Sequence, residues 1–130
     1  MTKRICALVV SAVLLGAGCA GAQTARTGRL MREKLLHSQR ILAALTTSDY
    51  ALLQKETQGL TRVTQSPIWT ELMTAEFRPY TAGFLKALAD LSAAADRRDY
   101  DAAGASYSAL TMACFQCHKY VMSSRIARRP

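Results

Sequence analysis

Residues 100–121 read YDAAGASYSALTMACFQCHKYV. In this stretch Ala103, Tyr107, Leu110, Cys114, Cys117 and Val121 recur at spacings of 4, 3, 4, 3 and 4, which traces one stripe of an α-helix. Asp99 stands just ahead of it as an N-cap, so the spacing predicts a helix from Tyr100 into the mid-120s. Arg125, Arg128 and Arg129 follow, in register with the negative end of the helix dipole. The stretch closes on Cys114-Phe115-Gln116-Cys117-His118, which puts two thiols on the predicted buried seam and an imidazole directly after them.

C-x-x-C-H is the attachment signature of a c-type haem. Each thiol adds across one haem vinyl group, so two thioether bonds must rise from one short segment. Residues three apart on a helix lie one turn apart on the same face. His118 can then turn its imidazole under the iron as proximal ligand. Other chemistries fit less well. A closed zinc site needs four donors, and beyond the N-terminal segment discussed below the only further Cys or His is His37. A thioredoxin-like pair would sit beside a βαβ pattern, which is absent. A Cys114–Cys117 disulfide would leave His118 without a role. One covalent haem c on Cys114, Cys117 and His118 is the expectation.

The first 22 residues have the form of a secretory leader, with Lys3 and Arg4, an apolar run from Ile5 to Leu15, and the small-x-small site Ala20-Gly21-Ala22. Cleavage before Gln23 would leave 108 residues outside the cytoplasm, in the periplasm, where haem c is attached. The apolar run is short for a membrane span. An alternative is lipidation at Cys19, since Gly16-Ala17-Gly18-Cys19 is similar to a lipoprotein box, although Leu15 stands one place too early for it. Cys6 and Cys19 otherwise take no part in the mature chain.

The 130 residues suit one small domain. Half are hydrophobic, chiefly Ala and Leu, and only 7% are aromatic, a balance that favours helix over sheet. The mature chain carries 15 basic against 9 acidic side chains, a formal +6, nearer +4 with two haem propionates. Such a surface suits an acidic partner, while an export leader argues against nucleic acid.

Upstream, Gln23 to Thr27 is expected as a flexible start. A first helix is expected over Gly28–Thr46, with Met31, Leu35, Ser38, Leu42 and Leu45 on its buried face, widened by Leu30, Ile41 and Ala44, and with Arg29, Arg32, Glu33 and Arg40 outside. The cluster Thr46-Thr47-Ser48-Asp49 ends it. A second helix from Asp49 to Gln65 carries Leu52, Leu53, Leu60 and Val63, is weakened by Gly59, and is stopped by Ser66-Pro67. Between Ser66 and Pro79 a short helical turn is expected over Thr70–Glu76. Trp69 and Phe77 there either cover the haem or plug the end of the fold. A third helix begins near Pro79, with Tyr80, Phe84, Leu88, Leu91 and Ala95 on its seam. Four amphipathic helices with short connections predict an all-α, antiparallel four-helix bundle with its cofactor in the core, held by the C-terminal helix.

A bundle with C-x-x-C-H on its last helix resembles the class II cytochromes c, the cytochrome c prime and cytochrome c-556 group. Ser66-Pro67-Ile68-Trp69 is similar to a Pro-x-Ile-Trp segment of that group, and Lys119-Tyr120 is in keeping with it. The resemblance implies that a side chain of the first helix stands over the iron. An apolar side chain there leaves an open sixth site, and a methionine fills it. Met31 takes that position here. The chain departs from the group in two places: Thr27 stands where an arginine often reaches a propionate, and Met122 stands where another often follows the haem histidine.

Met31 is therefore the expected distal ligand, with Met73 behind it and a plain core methionine as the bland reading. Met112 and Met122 share the helix of His118 and are expected to pack. His37 points well away from Met31 on the first helix and is expected at the surface. No Ser-His-Asp or paired-carboxylate constellation stands out, so no enzyme activity is expected. The expected function is a periplasmic electron carrier with His118/Met31 ligation, docking on a partner protein with an acidic surface, Lys119 being one candidate for steering it. The alternative is a five-coordinate haem protein that binds nitric oxide or carbon monoxide. The resemblance also allows pairing of two copies through the first two helices.

Overall fold

The computed structural model describes the backbone over residues 2–127 and the side chains over 21–124. The leader's charged and apolar residues and the lipidation alternative at Cys19 fall outside the described side chains, as does Arg125. Five helices follow one another: α1 (Thr2–Thr46), α2 (Tyr50–Thr64), α3 (Pro67–Leu72), α4 (Arg78–Arg97) and α5 (Tyr100–Ala127). The described residues contain no strand, and among them no helix is long and apolar enough to cross a membrane. The chain is all-α.

The helix ends follow local chemistry. Asp49 accepts from the Leu52 amide at 2.9 Å and opens α2. Ser66 accepts from the Trp69 amide at 3.2 Å, and Pro67 occupies the first turn of α3, where no donor is lost. Asp99 accepts from the Ala102 amide at 3.1 Å and opens α5. The turns ahead of α2 and α5 are closed by left-handed residues that are not glycine, Ser48 (φ 55°) and Arg98 (φ 54°). Each costs on the order of 1 kcal/mol. In return the next amides, of Asp49 and Asp99, reach the carbonyls of Ala44 and Ala94 at 2.9 and 3.0 Å and cap α1 and α4.

Three expectations need correction. Gln23 to Thr27 is helical, part of α1, because nothing there breaks a helix. The short helix between α2 and α4 sits at Pro67–Leu72 rather than Thr70–Glu76, because the Ser66 cap and Pro67 start it early. The buried face of α1 is also rotated from its expected centre. Leu30, Ile41, Ala44 and Leu45 are buried, while Leu35 and Leu42 are exposed, Leu35 by 57%. The rotation has a packing cause: α1 lies chiefly against α2 and only sparingly against α5.

The broadest pairings are α4 with α5 and α1 with α2, and α2 also meets α4. One core runs through them, including Ile41, Leu53, Leu60, Trp69, Phe84, Leu88, Leu91 and Leu110. The expected seams of α2, α4 and α5 supply it, with Tyr80, Tyr107 and Leu52 only half-buried at its margin. Tyr107 ties α5 to α1, its hydroxyl donating to the Ser38 carbonyl at 3.1 Å. Buried hydroxyls are satisfied locally, as where Thr57 donates to the Leu53 carbonyl at 2.7 Å.

Candidate functional site

Helix α5 carries Cys114 and Cys117 one turn apart as free, half-buried thiols. Cys114 packs against the core. Burial raises the pKa of both thiols, and the nearby Lys34 ammonium opposes that rise. His118, the next residue of α5, is exposed. The inner side of the pair faces the seam with α1, where Lys34 lies. Thiols at this spacing can each form a thioether, close on one another, or bind a soft metal that finds further donors. Among the described residues no three His, Cys, Asp or Glu side chains are grouped to hold a metal ion.

Across the seam, α1 presents Met31, half-buried and packed on the same core as Cys114. Met73 packs there too, from the segment after α3. Lys34 stands three residues beyond Met31, on the same helix face. Its Nζ lies 4.3 Å from the Trp69 ring centroid and 3.9 Å from that of Phe84. These two rings meet with centroids 5.5 Å apart, and Trp69 is only 5% exposed. The ion pairs formed among the described residues involve other cations, so the amine rests on π faces rather than on a carboxylate. Burial lowers its pKa, against a smaller opposing influence of the two cysteines.

Just past His118, Tyr120 stacks on Tyr80 (5.0 Å), meets Phe77 edge-on (5.6 Å) and donates to the Glu76 carboxylate. Trp69 and Phe77 therefore part company: Trp69 lines the interior beside Lys34, and Phe77 joins the start of α4 to α5. Arg26 reaches Glu71 at 3.9 Å instead of the interior. Exposed Lys119 follows the motif.

Two expected positions are corrected. Met112 and Met122 do not pack but are exposed, because they fall off the inner stripe of α5. His37 is not a surface residue: it is half-buried and its ring donates to Glu56, a side chain that periodicity alone would put at the polar edge of α2. Lys34 is the site residue that the apolar pattern passes over; its i+3 spacing from Met31 was the available signal.

Surface hollows of about 390 and 570 Å³ lie elsewhere, one along Thr61, Leu85 and Ala89, the other along Ala22 to Arg32. No family model, curated protein or solved structure matches this chain.

Proposed function

We propose that the chain is an exported monohaem c-type cytochrome of the class II kind, an antiparallel four-helix bundle that carries single electrons. The observation that carries the reading is the pair of free, half-buried thiols of Cys114 and Cys117, one turn apart on α5, with the exposed His118 next to them. Three further features fit a haem. The seam between α1 and α5 is the sparse one, so an inserted body can complete it. Apolar side chains stand exposed on the two helices that border it, Leu35 on α1 and Phe115 (66%) on α5. Lys34 supplies an interior cation with no carboxylate of its own, beside a group that would bring two.

A bound haem would supply an iron able to hold and release one electron. In this reading Cys114 and Cys117 would tether it, and His118 would offer its ring nitrogen to the iron. Met31 offers a thioether from α1, and a soft sulfur donor favours the ferrous state and raises the potential. Trp69 and Phe84 keep the interior apolar. The net positive surface, with Lys119 next to the motif, suits a partner of acidic surface.

The test is expression in a host able to attach haem c, followed by ferric and ferrous visible spectra with and without carbon monoxide. The expected result is covalent haem and a low-spin ferric spectrum with a weak far-red sulfur-to-iron band. The band should be lost in Met31→Ala. A high-spin spectrum with ready carbon monoxide binding would move the assignment to the gas-binding alternative. Absence of covalent haem would end both.

A further inference from the structure

Lys34 is a half-buried amine on α1 of which the electron-carrier reading uses only the charge. Its amine sits over Trp69 and Phe84, at 4.3 and 3.9 Å from their centroids. It is close enough to both motif cysteines for each to feel its charge. His118, on α5, is exposed, whereas the amine is half-buried. Met31 lies one turn away on the same face of α1.

An ammonium half-buried without a carboxylate is only partly compensated. A contact with an aromatic face returns about 0.5–2 kcal/mol, while removing the charge from water costs several. Burial accordingly lowers the pKa of the amine, so its proton is given up more readily than that of a solvated lysine. A neutral primary amine is a good σ-donor to iron, whereas an ammonium is not.

Resting on the haem assignment above, we propose that Lys34 is a second distal-side donor to the haem iron, one helical turn from Met31, able to take the sixth position whenever the Met31 thioether leaves it. The step is a ligand exchange: the iron–sulfur bond breaks, the iron–nitrogen bond forms, the lysine proton passes to solvent, and the iron keeps its oxidation state. The chain thereby holds two donors of unlike softness on one turn of one helix.

The holoprotein is compared as wild type, Met31→Leu, and Met31→Leu with Lys34→Arg, by ferric visible and near-infrared spectra and by electron paramagnetic resonance. Leu keeps the volume at position 31, and Arg keeps the charge at 34 while being unable to ligate. The expected result is that Met31→Leu loses the sulfur band but stays low-spin with the signature of two nitrogen axial donors, and that the double variant becomes high-spin. If Met31→Leu is already high-spin and identical to the double variant, the proposal is overturned while the haem assignment stands. If the wild type carries no covalent haem, both fall together. Should Met31→Leu fail to fold, Met31→Ala serves in its place with the same two outcomes.

Discussion

His37 Nδ1 lies 2.7 Å from Glu56 Oε2 and so bonds α1 to α2 through a carboxylate only 3% exposed. The Arg40 guanidinium stands 3.8 Å from the same oxygen. One turn along α2, Gly59 leaves the space that the imidazole occupies, since a Cβ at that position would overlap the His37 ring.

That relationship reverses the usual effect of a helix glycine. At an open helix position Gly→Ala stabilises by about 1 kcal/mol. Here Gly59→Ala is expected to destabilise by about 1–3 kcal/mol, as overpacking does. Adding His37→Ala should remove that penalty, so the double variant will be more stable than His37→Ala alone. Urea unfolding of the four proteins measures it, and a stabilised Gly59→Ala single variant would show the contact to be wrong.

Trp69 and Ser66 separate packing from capping within one short helix. Trp69→Ala removes a ring that touches Phe84 and Lys34 at the core and is expected to cost about 3–5 kcal/mol. Ser66→Ala removes only the bond to the Trp69 amide and should cost about 1 kcal/mol. Far-UV circular dichroism against denaturant reads both. Equal losses would mean that α3 is held by its cap and not by its tryptophan.

The haem-free chain should show two opposed alkaline dependences. The folded pKa of Lys34 is below its ordinary value of 10.5, so the unfolded chain binds the extra proton and stability rises with pH from the folded pKa toward 10.5. The folded pKa values of Cys114 and Cys117 are above their ordinary 9.0, so their contribution is full below that value and is lost as pH rises through the folded pKa. In a Cys114→Ser/Cys117→Ser background the rise due to Lys34 should stand alone, and Lys34→Met should abolish it. Unfolding free energies measured across the alkaline range decide this; a slope unchanged by Lys34→Met would remove Lys34 from the interior. In the unmodified haem-free chain, Cys117 should alkylate ahead of Cys114, which packs against the core.

Helix identity and punctuation were legible in the chain alone. Asp49, Ser66-Pro67, Pro79 and Asp99 mark ends by side-chain chemistry that acts within three or four residues, and the structure starts or stops helices at or within a residue or two of each. The apolar stripes of α2, α4 and α5 were legible for a similar reason, because leucine and alanine spacing within one helix predicts which side is dry. The spacing of Cys114, Cys117 and His118 is likewise a covalent fact of the sequence.

Tertiary structure decided what depends on how one helix is turned against another. Leu35 and Leu42 belong to the periodic stripe of α1, yet they are exposed, because α2 rather than α5 is the main neighbour of that helix. The same rotation carries two polar side chains inward: Lys34 onto Trp69 and Phe84, and His37 onto Glu56. Hydrophobic periodicity is blind to such residues. A long or polar side chain is buried only where a partner helix supplies an aromatic face, a carboxylate or a missing Cβ, and each of those partners lies 19 or more residues away in the chain.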